Sequence, residues 1–493
     1  MILRRHILFT CLAAALLVAC QPVITPQEPQ EEEPQEDVPE PEELPIDPVD
    51  IVMEYPEACG IAYLYDGSVL PEMHVSVSLE EWNKLLSNYD ENKRNKKYVL
   101  CDVRYVRDGE ETVIHEAALR LRGQTSRRRP EGSSGKPHTA NSTDWHRCHF
   151  QINFRKIHKD DAHEIHGARK VLLKYFNGDA AYVRELFCFD LFRRAGVWTG
   201  EHAAYCRMFI HVEGDNKEAY YGIYTMLEPV DERFLKVREA QFGSKDGYLW
   251  KCRIGAGLNN SSNVIFGPDN EDGLEYTYEL KTEIDSYAAA ETVLKDFIRN
   301  LNSLSGQAFR DWIDKVCDVP FLLKTYAVNV AVGMWDDYWN NSNNYYIYFS
   351  PDGKGGYKFF FIPFDYDNTL GTSLNCGVQM DAGWQSPLHW GVDSNPLIFK
   401  ILQFDDYRQI YCNELLRIVD PGIKLMYYEY SHERIDHWHS MIEGLTKNDT
   451  GEGSTIQDKP ASWGSRSGYR ILDPEANVNF FKLKAQSINK YCK

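Results

Sequence analysis

The sequence has fewer basic than acidic residues and no closely spaced pair of cysteines. Its 54 Lys and Arg residues are outnumbered by 73 Asp and Glu residues, which excludes the dense positive surface that general nucleic-acid binding requires. None of the 12 cysteines belongs to a Cys-x-x-Cys pair, so a zinc ribbon or a thioredoxin-type site is unsupported. Hydrophobic residues are nevertheless abundant, at 43%, so the chain of 493 residues can build one large core or two smaller ones.

The first 20 residues predict export and a lipid anchor. Arg4 and Arg5 precede an apolar run at 7–19, which has the layout of a secretory signal and is too short to span a bilayer. The run ends in Leu-Val-Ala-Cys, which resembles the bacterial lipoprotein box and implies a lipidated Cys20 at the mature N-terminus. This predicts a protein anchored in the bacterial cell envelope, facing the periplasm or the cell exterior. The alternative is an ordinary signal peptide cleaved near a cysteine.

Residues 21–50 contain no basic residue and predict an extended tether. Their eight prolines and eleven acids leave too few apolar side chains to build a core. We therefore expect four parts, which are a signal peptide (1–19), a lipidated cysteine with an acidic tether (20–50), a β-rich N-terminal region (51–120) and a larger domain with a helical end (121–493).

Short strands and longer helices alternate along the rest of the chain, which predicts an α+β fold. Alternating apolar residues at 73–79 and 117–123 are typical of strands. Apolar residues with helical spacing predict a helix within 179–195 and helical structure over roughly 286–335. The segments 344–350 and 357–364, joined by a Gly-rich turn, predict an antiparallel hairpin.

Two carboxylates follow the apolar second strand of this hairpin. The sequence FFFIPFDYDNTLG places Asp365 and Asp367 one residue apart, and DDYWNNSNN at 336–344 precedes the first strand. The hairpin brings both segments to one end of the strand pair. Carboxylate and amide oxygens at this density suit magnesium, which is held by one or two carboxylates together with water and phosphate oxygens.

Along the chain, these groups follow the order of the corresponding groups in protein kinases. There, one Asp accepts the proton of the substrate hydroxyl, an Asn on the same loop holds a metal, and a later Asp joins the metal to the phosphates. Asp336 and Asn341 keep the five-residue step of the kinase catalytic loop. A surface turn rich in Asp and Asn would have the same composition. The neighbours Met334, Trp335 and Trp339 favour burial, and buried carboxylates need partners such as a metal.

Five ordered blocks of sequence resemble the CotH-type kinase family, named for spore coat protein H. The blocks are LRGQTS (121–126), DAAYVRELFCFDLFRRAG (179–196), YYGIYTMLEPVDERFL (220–235), DDYWNNSNNYYIY (336–348) and IPFDYDNTLG (362–371). The resemblance covers about half of the chain. It implies an atypical protein-kinase-like fold with a β-rich N-terminal part and a mostly helical C-terminal part. It also implies the use of ATP with Mg²⁺ or Mn²⁺ and transfer of the γ-phosphate to Ser or Thr hydroxyls of a protein substrate at the cell envelope.

The resemblance also implies roles for single residues. Asp337 is the first choice for the catalytic base and Asp336 the second. The implied metal ligands are Asp365, Asp367, Asn344 and Asn341, and the implied ATP-binding residues are Arg122, Lys174 and Glu228, of which Glu228 would orient a phosphate-contacting lysine or join the metal site.

The chain departs from the family pattern at two points. Where members have a Lys-rich segment, this chain has HRCHFQINF at 146–154, so the cation that contacts the phosphates stays open among Arg122, Arg147 and Lys174. Phe364 replaces the Trp that usually precedes the acidic pair, which preserves an aromatic side chain for packing.

The sequence is also compatible with functions other than a kinase, and several of its smaller signals have simple explanations. A non-catalytic cell-surface binding protein, or pseudokinase, and a structural role in an envelope or matrix complex are alternatives to a kinase. The histidines at 146–149 and 158–166 match no zinc spacing. The basic run 127–129 either attracts an anion or is a solvated charge run. The 30 Tyr and 11 Trp residues are better explained by core packing than by a glycan-binding groove.

Overall fold

Two β-sheets, a closed barrel and an open sheet, organise the protein together with a group of helices. The computed structural model describes residues 59–282, 286–372, 381–461 and 468–493, all within one compact unit, Pro48–Lys493. The predicted signal peptide and the tether, with Cys20, lie outside the described residues. The mixture of sheets and helices confirms the predicted α+β class.

The strands of the described residues fall into the two sheets. The barrel has the order β1-β2-β3-β4-β5-β7-β6, and the open sheet has the order β12-β11-β8-β10-β9. Their bounds are β1 Glu72–Val77, β2 Val99–Arg107, β3 Glu110–Leu121, β4 Phe150–Asn153, β5 Lys170–Tyr175, β6 Ala203–Val212, β7 Ala219–Leu227, β8 Tyr248–Cys252, β9 Phe266–Pro268, β10 Tyr278–Leu280, β11 Tyr345–Pro351 and β12 Tyr357–Pro363.

Helices predominate after the barrel. Their bounds are α1 Cys59–Leu64, α2 Leu79–Glu91, α3 Arg184–Arg194, α4 Glu232–Val237, α5 Glu239–Phe242, α6 Tyr287–Ser303, α7 Gly306–Val316, α8 Val319–Ala331, α9 Tyr338–Asn341, α10 Pro396–Ile401, α11 Asp405–Val419, α12 Tyr428–Ile442 and α13 Phe480–Cys492. In the described part of the chain, none of them combines the length and the apolar character needed to cross a bilayer.

The barrel closes where β1 pairs in parallel with β6, while its other neighbouring strands pair antiparallel. Alternating side chains of these strands fill the interior with a hydrophobic cluster, as expected for a small barrel whose lumen is packed. Strand β3 runs across residue 120, so the barrel takes strands from both sides of the boundary expected from the sequence.

The predicted hairpin forms from β11 and β12 and is antiparallel, with Tyr345 opposite Pro363. This register places Asn344, which precedes β11, and Asp365, which follows β12, at the same end of the strand pair. The two polar segments therefore meet because the pairing of two apolar strands requires it.

The predicted helix at 179–195 is present but begins later, at Arg184. The carboxylate of Asp179 accepts hydrogen bonds from the backbone N–H groups of residues 181, 183 and 184. Tyr182 takes a left-handed backbone conformation with φ of 54°. These two features hold the chain in a turn before the first helical residue.

The basic run 127–129 is neither a free anion site nor a solvated charge run. Arg127 donates to the main-chain carbonyls of residues 93 and 95, Arg128 pairs with Glu452 at 3.0 Å, and Arg129 pairs with Asp90 at 3.0 Å. The three arginines therefore hold the loop between β3 and β4 against neighbouring segments of the chain.

Candidate active site

A buried ammonium group and three carboxylates form the centre of the site. Lys174 lies on β5, and its Nζ is 2.9 Å from Glu185 Oε1 on α3 and 3.1 Å from Asp367 Oδ2. The same Nζ donates to Asp365 Oδ1. Burial opposes a charged ammonium, but the carboxylates of Asp365, Asp367 and Glu185 together hold the pKa of Lys174 well above its usual value. One cation thus joins the barrel, a helix and the segment after the hairpin.

The three carboxylates differ in how easily they ionise. Burial opposes ionisation of Asp365, but Lys174 overcomes that effect and lowers its pKa. The pKa of Asp367 is raised by burial and then by the charges of Asp365 and Glu185, and burial also raises that of Glu185. Three acids that share one ammonium oppose one another's ionisation, so an additional cation would favour the charged forms of Asp367 and Glu185.

The backbone at Asp365 explains how two acids of one segment reach the same lysine. Asp365 has φ of 66°, a left-handed conformation that costs a non-glycine residue about 1 kcal/mol. Between the acids, Tyr366 is buried against Phe192 with ring centroids 4.9 Å apart, and its hydroxyl donates to Asn329 Oδ1 at 2.8 Å. The buried tyrosine fixes the turn and leaves the two carboxylates facing Lys174.

A cluster of asparagines surrounds Asp336. Its carboxylate accepts hydrogen bonds from the amides of Asn341 at 2.6 Å, Asn343 at 3.1 Å and Asn344 at 3.0 Å. Burial raises the pKa of Asp336 to about 6, the charge of Asp365 contributes in the same direction, and the asparagine amides oppose the shift. Asp336 therefore faces the acidic pair and is only partly buried.

Asp337 points into the protein interior instead. One of its oxygens caps α9 by accepting the N–H of Asn340 at 2.8 Å, and the other accepts from Asn329 Nδ2 at 2.6 Å. The side chain is buried, and burial raises its pKa to about 7. Both aspartates accept hydrogen bonds at each oxygen, so exposure is what separates them: Asp336 is partly exposed, whereas Asp337 is only 3% exposed.

The structure pairs Glu228 with Arg238 and His202 rather than with Lys174. Glu228 was expected to orient a lysine or join the metal site, but its carboxylate forms a two-pronged pair with Arg238, at 2.8 and 2.7 Å. It also lies 2.7 Å from His202 Nδ1. The lysine partner is Glu185, which the sequence analysis did not single out. The signal was present in the block DAAYVRELF, whose Glu lies eleven residues after Lys174.

Glu228 should therefore matter for stability. Arg238 and His202 overcome the effect of burial and lower the pKa of Glu228 strongly. Its stabilising contribution is therefore fully present above the unfolded-state pKa of about 4.3 and is lost gradually as the pH falls from that value through the much lower folded-state pKa. We expect Glu228→Gln to lower the free energy of unfolding by about 3 kcal/mol at pH 6.5, because it breaks a buried ion pair, and by less near pH 3, where part of that contribution is already lost.

Urea unfolding of the wild type and the variant at both pH values measures this effect. Glu91→Gln is the control, because Glu91 is exposed on α2 and lies 3.9 Å from Lys97, so its loss should change stability by at most about 0.5 kcal/mol. A Glu228→Gln effect that is equally large at both pH values would contradict the electrostatic explanation.

Other cations lie near the acids. The Arg122 guanidinium makes no hydrogen bond or ion pair among the described residues, and its charge helps to lower the pKa of Asp365. Lys251 Nζ lies 4.2 Å from the centroid of the Phe364 ring, and burial lowers its pKa well below its usual value. Arg147 contacts the Tyr182 hydroxyl at 3.4 Å instead. The sequence analysis did not identify Lys251, because nothing near it in the sequence marks it.

Glu201 is a buried carboxyl group without a partner. Neither of its oxygens has a hydrogen bond in the described part of the chain, although only 2% of the residue is exposed. Burial, and then the charge of Glu185, raise its pKa well above the usual value, while Arg122 opposes the shift. A buried polar group without a partner is costly, so a bound molecule with a hydrogen-bond donor or acceptor would relieve that cost.

The donor set fits a hard divalent cation held jointly with a ligand. Among the described residues, no three His, Cys, Asp or Glu side chains form a ready-made metal centre. Magnesium does not need one, since it is commonly held by one or two carboxylates and completed by water and phosphate oxygens. Asp365 and Asp367 offer the carboxylates, and the amide oxygens of Asn341 and Asn344 lie on the neighbouring loop.

Comparison with known protein families identifies the family to which the chain belongs. The family model described as CotH kinase protein matches residues 119–476, which is most of the chain, and the protein belongs to this CotH kinase family. Membership indicates a kinase-like protein. No curated protein matches the chain.

Proposed function

We propose that this protein is a membrane-tethered atypical protein kinase that transfers the γ-phosphate of ATP to Ser or Thr hydroxyls of proteins outside the cytoplasm. The observation that carries the proposal is the ion-paired cluster of Lys174 with Glu185, Asp365 and Asp367. Protein kinases require a strand lysine paired with a helix glutamate, together with a metal-binding aspartate after a later strand. The chain supplies these groups in the same order, which also supports a kinase-like fold.

Lys174 is the cation that the family pattern left open. It is the one candidate among Arg122, Arg147 and Lys174 that ion-pairs with the acidic segment. Its four-carbon stem lets the ammonium keep Glu185 as a partner and turn toward phosphate oxygens. Arg122, with no side-chain partner among the described residues, adds positive charge where the nucleotide phosphates would lie.

Asp365 and Asp367 would hold the metal, with Asn341 or Asn344 supplying an amide oxygen. When bound, magnesium neutralises charge on the phosphates. The protein contributes rigid placement of these ligands, since β11 and β12 fix both segments at one end of the hairpin. The partnerless carboxyl of Glu201 and the cations Arg122 and Lys251 fit a polar, negatively charged nucleotide.

Asp336 is the proposed base. Asp336 lies on the loop between α8 and α9, and its charge interacts with that of Asp365. The hydrogen bonds from its asparagine partners keep its carboxylate oriented. Accepting the proton of a substrate hydroxyl needs a carboxylate that a substrate can reach. Asp337 stabilises the same loop, because it caps α9 and accepts a hydrogen bond from Asn329.

The two aspartates can be separated by experiment. We expect Asp336→Asn to lower phosphoryl transfer about 10³-fold with little change in thermal midpoint, because the amide keeps the size of the side chain but cannot accept a proton. Asp337→Asn should mainly lower stability, by about 1 to 2 kcal/mol, since it weakens a cap and a buried hydrogen bond. Residues 51–493, labelled ATP, magnesium or manganese, and candidate envelope proteins provide the assay, with thermal unfolding measured in parallel.

The opposite result, an active Asp336→Asn protein and a stable but inactive Asp337→Asn protein, would assign the base to Asp337. Nucleotide and metal binding without any transfer by the wild type would instead identify a non-catalytic binding protein on the same fold. A wild type that neither binds nucleotide with metal nor transfers label would refute the proposed function.

The lipid anchor can be tested separately. Cleavage before Cys20 predicts a mature N-terminal peptide that starts at this cysteine and carries the mass of the added acyl chains. Mass spectrometry of that peptide, from protein expressed in a bacterial host with its own lipoprotein pathway, checks the prediction, with Cys20→Ser as the unlipidated control. An unmodified N-terminus at any other residue would remove the anchor from the proposal.

A further inference from the structure

His149 ends the segment HRCH and, in the described part of the chain, has one ring nitrogen without a hydrogen-bond partner. The backbone N–H of Tyr175 donates to its Nδ1 at 3.2 Å. Since Nδ1 accepts this hydrogen bond, the imidazole is neutral and carries its proton on Nε2. Burial, and then the charges of Arg122 and Lys174, lower the pKa of His149 and favour the same neutral form. Nε2 is the nitrogen without a partner, although only 2% of the residue is exposed.

The strand pairing places His149 between two cations of the candidate site. In the register of β4 with its two neighbours, the residue that precedes β4 comes level with Arg122, just after β3, and with Lys174, on β5. That residue is His149, and its carbonyl accepts the backbone N–H of Arg122 at 3.0 Å. Directly opposite residues of neighbouring strands share a face of the sheet, with Cβ atoms about 5 Å apart. Arg122, His149 and Lys174 therefore form a row on one face, beside the acids that Lys174 contacts.

The turn with the sequence LRGQTS packs directly against this imidazole. A Cβ at Gly123 would lie 3.1 Å from Cδ2 of His149 and 3.0 Å from Oγ of Ser126. Gly123 also has φ of 98°, so glycine is required at this close approach. Among the residues that the structure describes, the backbone N–H groups of 123–126 and the Ser126 hydroxyl have no hydrogen-bond partner. Because Cδ2 is bonded to Nε2, the turn brings these donors to the edge of the ring that carries the proton.

Unpaired donors beside two cations have the chemistry of a phosphate site. Backbone N–H groups of glycine-containing loops, hydroxyls and cationic side chains are the groups that bind phosphate oxygens in proteins. A neutral imidazole adds one more donor without placing a third positive charge between Arg122 and Lys174, which would repel it. A buried donor without a partner is costly, and a phosphate oxygen would relieve that cost.

We propose that His149 donates a hydrogen bond from Nε2 to a phosphate oxygen of the nucleotide, in a phosphate site that it forms with Ser126 and Arg122. The inference rests on the proposed function, since it takes the nucleotide as the source of the phosphate. The imidazole stays neutral and transfers no proton, so His149 is a binding residue and not a second base. Inorganic phosphate offers the same oxygens, so the experiment has to separate the two sources.

Equilibrium binding of adenosine, AMP, ADP and ATP, each with Mg²⁺, and of inorganic phosphate to the full-length chain tests the phosphate site. We expect His149→Leu to weaken ATP binding about 10-fold and to leave adenosine binding within about 2-fold of the wild type. His149→Gln should recover most of the loss, because its amide can donate from nearly the same place. The control is His115→Leu on β3, where the exposed imidazole lies 3.1 Å from Asp102, and it should change neither affinity by more than about 2-fold.

The possible results separate this inference from the proposed function. Equal ATP affinity of the wild type and His149→Leu rejects the inference alone. An equal loss for adenosine and ATP rejects it too, because His149 would then support the pocket without binding phosphate. Weaker binding of inorganic phosphate with unchanged ATP affinity rejects the nucleotide as the source. A wild type that binds none of the nucleotides refutes the proposed function and this inference together.

A second variant keeps the test decisive if His149→Leu does not fold, which thermal unfolding of each protein shows. Ser126→Ala removes the hydroxyl and leaves the imidazole in place. We expect it to weaken ATP binding about 5-fold and to leave adenosine binding unchanged. Unchanged ATP affinity in this variant would reject the phosphate site.

Discussion

Phosphoryl transfer should fall roughly 10³-fold in Asp365→Asn, with little change in fold. Asparagine keeps the size of the side chain and tolerates the left-handed backbone of this position, but it removes one of the charges that the proposed metal and Lys174 share. The hydrogen bond from Lys174 can pass to the amide oxygen. Initial rates with labelled ATP over a range of magnesium concentrations measure the loss, and weaker metal binding should also raise the magnesium concentration needed for half-maximal rate.

The matched control is Asp352→Asn. Asp352 lies in the turn at the opposite end of the same hairpin, where its carboxylate accepts the N–H groups of Lys354 and Gly356, both at 2.8 Å. Losing its charge should leave transfer within about 2-fold of the wild type. Equal losses in the two variants, or full activity in Asp365→Asn, would contradict the assignment of the metal ligand.

Replacing Lys174 by methionine should remove activity and also destabilise the fold. The variant leaves Glu185, Asp365 and Asp367 without their shared cation, and breaking a buried ion pair costs about 3 kcal/mol. We expect transfer to fall roughly 10³-fold and the free energy of unfolding to decrease by about 3 kcal/mol. The double variant Lys174→Met with Glu185→Leu replaces one charged pair by apolar side chains, so it should regain part of the stability and none of the activity.

Lys170→Met is the control on the same strand. Lys170 lies four residues earlier and pairs with Asp231 at 2.7 Å, away from the acidic segment, so transfer should stay within about 3-fold of the wild type. A double variant that recovers activity together with stability would show that Lys174 acts through folding alone. Chemical denaturation and initial rates on the same preparations separate the two effects.

Local sequence patterns were sufficient for the hairpin and for much of the secondary structure. The segments 344–350 and 357–364 are continuous apolar runs separated by a short Gly-rich turn, which is sufficient to predict an antiparallel pair. The convergence of Asn344 and Asp365 follows from that pairing. The α+β class was likewise predictable, because helical and strand periodicities differ over short windows.

Contacts between distant segments were not predictable in the same way. Lys174 and Asp365 are 191 residues apart, and only the tertiary fold brings their side chains together. The sequence pointed to Glu228 as a partner for a lysine. In the structure, the short helix α4 after β7 brings Arg238 next to Glu228. The guanidinium offers two hydrogen-bond donors to the carboxylate, whereas a lysine ammonium acts as one point charge.

By itself, the sequence determined the family, the hairpin and the identity of the acidic groups, because blocks of adjacent residues and short-range periodicity carry that information. The tertiary structure decided which of two adjacent aspartates is the more exposed and which of three candidate cations pairs with the acids. These outcomes depend on the direction in which side chains are buried and on contacts between residues as far as 191 positions apart, and neither is encoded in local spacing.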